Sequence, residues 1–257
     1  MRILCIHAHP DDAEILAGGT LALLAKAGHR ITIVTMTAGD CGSDELGPEE
    51  LSNIRKAEAG AAAALVGAEY VCAGFRDLAI FNDDSSRRRV TQLLRELCPR
   101  VVLTASPEDY LCDHETTSQL VRDACFGAAL PNYSTSGGAL ALSEIPHLYF
   151  MDPLEMVDRV GNPVVPDFTV DVHLSFETKK SMFAKHETQR AWLRRQHKID
   201  DYLAKMEEWT RAAGTRAGVS LGEGFRQYRA HPYPQTPLLQ ETLSPYVAAE
   251  TAGVIRF

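Results

Sequence analysis

An alternation of short β-branched runs with amphipathic stretches constrains this chain more than any other feature. Residues 2–8 (RILCIHA), 31–37 (ITIVTMT), 69–72 and 101–105 (VVLTA) read as strands. Residues 13–27, 48–66, 86–97 and 114–126 follow them in turn and read as helices. Strand–helix alternation at this spacing predicts parallel strands joined by right-handed crossovers. The expected fold is α/β: a Rossmann-like, doubly wound, mainly parallel sheet with helices on both faces. Ligands of such sheets bind beyond the carboxyl ends of the strands. The 9–12, 38–43 and 106–114 loops therefore share one rim. Gly18-Gly19 costs the first helix about 1 kcal/mol per residue against Ala. The pair implies a close backbone approach, or a helix that starts only at Thr20.

Beyond Pro131 the pattern changes. Residues 148–151 and 168–172 suggest further strands, 176–213 are helical and charged, and 214–257 read as an extended wrap rich in Gly and Pro. No internal repeat or low-complexity linker divides the chain. The expectation is one domain over 1–257, with the Rossmann-like core at about 1–130 and a helical C-terminal extension at about 131–257. The 257 residues carry a net charge of −8, which argues against a nucleic-acid partner. No apolar run approaches the roughly 18 residues of a membrane helix. The six cysteines form no CxxC pair and read as free thiols, most of them small core residues. The opening MRILCIHAHPDD does not resemble an export signal, so a cytoplasmic location is expected.

Two clusters on the predicted rim carry the chemistry. His9-Pro10-Asp11-Asp12 follows the first strand and offers an imidazole and two carboxylates, which as adjacent side chains point in different directions. One carboxylate can bind a metal while the other faces a water; the bland alternative is an Asp capping the next helix. The second cluster runs from Asp109 to His114, where Asp113 is a neighbouring carboxylate for the His114 imidazole. His9, Asp12 and His114 would make a three-ligand site with one position open, the pattern of catalytic zinc. Two His and one carboxylate also suit ferrous iron.

His9-Pro10-Asp11-Asp12-Ala13-Glu14 followed by Gly18-Gly19-Thr20 resembles the signature of the LmbE/PIG-L family of zinc-dependent N-deacetylases. Arg55 and Glu58 are similar to the family's R-x-x-E helix, Asp77 to its acidic residue after the next strand, and Asp113-His114 to the end of its H-x-D-H motif. His186-Glu187-Thr188-Gln189 and Glu223-Gly224-Phe225 resemble its C-terminal H-x-S/T-Q and acidic-x-Phe elements. The resemblance covers most of the chain and is strongest over residues 1–126. It implies one Zn²⁺ per chain on His9, Asp12 and His114, other divalent ions being suitable, with Asp11 as general base and Asp113 as a supporting catalytic carboxylate. It implies a small amino-sugar substrate losing an N-acetyl group, with Arg55 and Asp77 as substrate contacts; Asp40, by its place in the 38–43 rim loop, is a further candidate for sugar hydroxyls, turn chemistry being its other use. Leu111 departs from the pattern, because it occupies the first His position of H-x-D-H and can neither donate nor accept a proton. Either the metal alone polarises the carbonyl or another His supplies the proton, and His186 is the candidate for the second.

Other readings share the residues. The same chemistry serves an amidase acting on a thiol conjugate or another amide, and Leu111 admits a metal-binding relative with impaired catalysis. A nucleotide-binding or receiver-like α/β module would need either a glycine-rich phosphate loop or an acceptor Asp and Lys on later strands, and neither GxGxxG nor GxxxxGK-S/T occurs. His7 alternates onto the His9 face and reads as a hydrogen-bonded core or supporting residue. His147 starts a late strand that could reach the rim, His231 belongs to the wrapping tail, and His29, His173 and His197 read as surface residues. Trp192 and Trp209 fit core or subunit-contact positions, and a homo-oligomer is compatible with the sequence.

Overall fold

The computed structural model of the chain describes residues 1–196 and 201–248. Seven strands form one sheet in the order β3-β2-β1-β4-β5-β7-β6. They are β1 (Arg2–His7), β2 (Arg30–Thr37), β3 (Glu69–Phe75), β4 (Val101–Thr104), β5 (His147–Met151), β6 (Phe168–Asp171) and β7 (Gly222–Gln227). The first five run parallel, and β7 lies antiparallel to both β5 and β6. The helices are α1 (Asp12–Lys26), α2 (Pro48–Ala64), α3 (Asp84–Leu97), α4 (Cys112–Ala128), α5 (Phe176–Phe183), α6 (Glu187–Gln196), α7 (Tyr202–Arg216) and α8 (Leu238–Thr242). No helix among the described residues is long and apolar enough to cross a membrane.

β1 explains why the sheet must be covered on both sides. Its residues alternate between faces, so Ile3 and Cys5 pack with Leu21, Leu24 and Ile33, while Leu4 and Ile6 pack with Val34, Val102 and Leu148. β1 pairs with β2 on one side and β4 on the other, so the chain order reverses there. That reversal opens a crevice at the strand carboxyl ends, the usual place for a ligand.

Several expectations need correction. The 214–257 segment is not only a wrap: β7 enters the sheet between β5 and β6. Among the described residues the 176–213 stretch holds three helices, and His197 lies outside those residues. All six cysteines are free, but only Cys5 and Cys125 are buried, whereas Cys41 and Cys112 are exposed. His147 opens a strand parallel to β4, which puts it at the end of the sheet opposite the crevice, where it bonds to Thr236 at 2.8 Å.

The glycine pair is also resolved. α1 begins at Asp12 and runs through Gly18-Gly19, so the reason is close approach. A Cβ on Gly19 would stand 2.6 Å from Val172 Cβ, and one on Gly18 3.1 Å from Lys179 Cγ. Glu223 of β7 reaches the same turn and accepts hydrogen bonds from the N–H groups of Gly19 (2.9 Å) and Thr20 (2.7 Å). Lys179 of α5 neutralises it at 2.7 Å, both side chains being buried. The acidic-x-Phe element thus clamps the C-terminal part of the chain onto the first helix.

Candidate active site

The crevice is a cavity of about 390 Å³ whose polar lining includes His9, Asp11, Asp12, Arg55, Asp77 and His114. Ile15, Leu16, Leu154, Trp192 and Tyr202 also line it. The 9–12 turn leaves β1 and enters α1 through Asp11, whose φ of 102° lies in the left-handed region that L residues avoid. Such strain costs on the order of 1–3 kcal/mol and persists only where surroundings enforce it. α4 starts earlier than the sequence suggests, which places Asp113 and His114 in its first turn.

Three donor atoms converge from these two segments. His9 Nδ1 lies 3.3 Å from His114 Nε2 and 3.4 Å from Asp12 Oδ2, and His114 Nε2 lies 3.5 Å from the same carboxylate oxygen. A tetrahedral ion bonded at roughly 2.0–2.2 Å needs donors about 3.3–3.6 Å apart, so the set fits a divalent cation. His7 also stands within reach of Asp12 and His114. Its Nδ1 is 2.6 Å from Asp12 Oδ2, too close for two ligands of one ion, and this contact is a hydrogen bond that orients the carboxylate.

Each imidazole of the set has its own support. Asp113 Oδ2 faces His9 Nε2 at 3.2 Å, and Asp109 Oδ1 faces His114 Nδ1 at 3.0 Å. The sequence placed Asp109 in the right cluster without giving it this role; its position five residues ahead of His114 was the available signal. Burial opposes protonation of His9, but the carboxylates of Asp113, Asp12 and Asp77 outweigh it and lift its pKa to about 10. Burial lifts Asp11 to about 7, and Asp12 adds to this while His186, Arg55 and His9 pull the other way. Asp11 Oδ2 is buried without a hydrogen-bond partner, although Asp11 lines the cavity.

The remaining candidates divide. Arg55 lines the cavity, and its guanidinium donates to Gly42 O (3.0 Å) and to the Gln189 side chain. The 38–42 loop wraps this group so closely that a Cβ on Gly39 would meet Arg55 Nη1 at 2.4 Å. Glu58, one turn on, accepts from Thr188 N (2.9 Å) and Thr188 Oγ1 (2.6 Å) at the start of α6. The R-x-x-E and T-Q elements therefore meet residue for residue. Asp77 lines the cavity with Oδ1 unpartnered, while Oδ2 accepts from Cys41 N at 2.9 Å. Asp40, expected at the substrate, is not part of the cavity wall: its carboxylate holds Asp77 N (2.8 Å) and Arg76 Nε (3.2 Å). His186 is also outside the wall, buried with Nε2 3.4 Å from Glu14. Leu111 does line the cavity and offers it only apolar surface.

Comparison with known proteins gives a consistent picture. A family model described as PIG-L, GlcNAc-PI de-N-acetylase, matches residues 4–125. The 1D-myo-inositol 2-acetamido-2-deoxy-alpha-D-glucopyranoside deacetylase 1 of Saccharopolyspora erythraea is 27% identical, covering 88% of this chain and 86% of its own. The N,N'-diacetylchitobiose deacetylase of Pyrococcus horikoshii superposes with a TM-score of 0.76 at 26% identity, covering 92% of this chain and 88% of its own. The 4-carboxy-2-hydroxymuconate hydratase of Pseudomonas putida superposes with a TM-score of 0.73 at 21% identity, covering 91% and 99%. At that identity only the fold is shared. One fold thus carries more than one reaction, and the chemistry of a chain is decided by its site.

Proposed function

For a chain that belongs to the PIG-L (LmbE-like) family, we propose hydrolytic removal of an N-acyl group, acetyl in the simplest case, from a small amino sugar. The observation that carries the reading is the convergence of His9, Asp12 and His114 within 3.3–3.5 Å, beside a buried and unpartnered Asp11 oxygen. His9, Asp12 and His114 would hold one divalent ion, zinc by preference for this N/O set. When bound, such an ion supplies Lewis acidity, which polarises an amide carbonyl and lowers the pKa of a water from about 15.7 toward about 7.

Asp11 is the proposed general base. Its carboxylate takes a proton from the attacking water as oxygen adds to the acyl carbon, then returns it to the nitrogen as the C–N bond breaks. The products are a carboxylic acid and a free amine, so atoms and charge balance. The return step is favoured by the environment that raises Asp11 above an ordinary carboxylate. His186 does not line the cavity and acts instead as a positioning residue, which, paired with Glu14, places charge behind Asp11. Asp113 and Asp109 hold the imidazoles of His9 and His114 in the ligating orientation. Asp77, with one free oxygen on the cavity, is the better placed acceptor for a sugar hydroxyl, and Arg55 flanks it.

The test is metal analysis of the purified protein together with a free-amine assay over a panel of N-acetylated amino sugars and simple amides. Stoichiometric metal with amine release from sugars supports the proposal. Release only from non-sugar amides makes the chain an amidase, and bound metal with no amine from any compound makes it a binding protein.

A further inference from the structure

Leu111 creates a deficit. An amide under attack at this site develops negative charge on its carbonyl oxygen, and such charge is stabilised best by a donor fixed in advance in a water-poor place. The side chain at 111 has no proton to give, although it faces the cavity. Arg55 also lines the wall, but its Nη2 is occupied by Gly42 and Gln189 and Gly39 packs against its Nη1, which leaves the buried Nε, without a partner among the described residues, as the rival donor. Tyr110 carries a hydroxyl there, yet it is 63% exposed at the mouth.

We infer that Tyr202 supplies the missing donor, its hydroxyl hydrogen-bonding the oxyanion of the tetrahedral intermediate in place of the side chain that Leu111 lacks. The inference rests on the hydrolytic reading above and adds a residue to it. Tyr202 comes from α7, far from the metal-ligand clusters in sequence, and its side chain closes the same cavity as Asp11, Asp12 and His114. It is 9% exposed and held by its ring: Phe183 meets it edge-on at 4.9 Å and Trp209 at 6.0 Å. Phe176, Met206 and Ile15 complete that apolar seat. Asp201 fixes where α7 begins by accepting from Ala204 N at 3.1 Å. The phenol is thus anchored at its apolar end, and its hydroxyl makes no hydrogen bond among the described residues, which is the division a preorganised donor needs.

The electrostatics agree with the geometry. Burial, and then the carboxylates of Asp11 and Asp12, push the Tyr202 phenol well above its ordinary pKa. It therefore keeps its proton across the whole working range, and a neutral phenol is the form that donates. Tyr202 and those two carboxylates line the same cavity. No covalent step is added: the hydrogen bond forms as the carbonyl oxygen gains charge and is released when the carbonyl of the acid re-forms.

The experiment uses the full chain, metal-loaded, in wild-type, Tyr202→Phe, Leu111→His and doubly substituted forms. Phe keeps the ring packing and removes only the hydroxyl. Tyr202→Phe should lower kcat by roughly 10²-fold, the usual effect of losing one oxyanion donor, with KM and metal content near wild type. A methylphosphonamide of an amino sugar, which mimics the tetrahedral centre, should bind Tyr202→Phe more weakly by a similar factor in calorimetry, while the free amino sugar binds equally. Adding Leu111→His to Tyr202→Phe should recover part of the loss. Equal affinity of wild type and Tyr202→Phe for the phosphonamide, with metal and fold intact, would overturn the assignment whether or not turnover is seen. A KM rise with unchanged kcat would equally overturn it, since that is ground-state binding. The hydrolytic reading itself is judged separately, on whether the wild type alone releases amine.

Discussion

Asp113 Oδ2 meets His9 Nε2 at 3.2 Å while accepting the Leu78 N–H at 2.7 Å, so the carboxylate that orients the first imidazole is itself pinned to the loop after β3. The arrangement fixes which ring nitrogen of His9 faces Asp12 and His114. Asp113→Asn should keep the fold and weaken metal binding by about 10–100-fold, the range for a lost orienting partner. A metal-buffered titration checks this, and unchanged affinity would remove Asp113 from the site. Because His9 is raised to about 10 by its carboxylate neighbours, it is protonated at neutral pH until a cation arrives. Metal binding near pH 7 should therefore release about one proton from His9, and affinity should fall as pH falls. Calorimetry in buffers of different ionisation enthalpy measures that proton directly.

Asp11→Asn should retain the metal and lose roughly 10²–10⁴-fold in kcat, the usual range for a positioned acid–base group. The sign of the pH effect follows from the base role. Only the ionised carboxylate accepts a proton, so kcat/KM should rise with pH through the Asp11 pKa and level above it. Burial and Asp12 set that pKa at about 7 without a cation, and a bound cation pulls it lower, so the limb should lie on the acid side of 7. A wild-type profile flat from pH 5 to 8 would move the proton to another group.

The sequence exposed the part of this site that is local in the chain. The alternation through residue 126 marks β1–β4 and α1–α4 because β1, β2 and β4 are buried on both faces, β3 is a short β-branched and aromatic run at the sheet edge, and each helix carries an apolar face. His9, Asp12 and His114 were readable because they follow strands on one rim. β7 was not, because Gly222, Glu223 and Gly224 look like a turn. The glycines are there because neighbours intrude: a Cβ on Gly224 would lie 2.0 Å from Asp152, and one on Gly222 2.8 Å from Gly214 Cα. Asp40 and His186 misled for a related reason. Their residue types suit a site, but whether a polar group faces the cavity or a neighbouring loop is decided by packing between distant segments. Tyr202 reaches the cavity only through such packing.

The clamp between β7 and α1 should be costly to break. Glu223 satisfies two backbone N–H groups inside a helix and is neutralised by Lys179. Lys179→Met leaves that carboxylate buried with no counter-charge, at about 3–5 kcal/mol by urea denaturation. Gly19→Ala gains helix propensity yet must displace Val172, and should still destabilise by about 1–3 kcal/mol. Adding Glu223→Gln to Lys179→Met should recover part of the first loss by removing the stranded charge. No recovery would mean that packing of the lysine stem, rather than charge, holds the joint.

Asp152 gives a pH effect of opposite sign to the usual paired carboxylate. Burial lifts its pKa to about 6 although Arg226 and Arg216 pull it down, and Oδ1 has no hydrogen-bond partner. The folded chain therefore holds this proton more tightly than the unfolded one. Its contribution to stability is present below the unfolded value near 4 and is lost as pH rises through about 6. At about 1.4 kcal/mol per unit, two units correspond to about 3 kcal/mol as an upper bound. Asp152→Asn keeps the shape without the charge. Relative to wild type it should gain stability steadily between pH 4 and pH 6 and hold that gain at pH 7, in urea unfolding at each pH. A difference between the two proteins that does not change with pH would show that Asp152 titrates as an ordinary carboxylate.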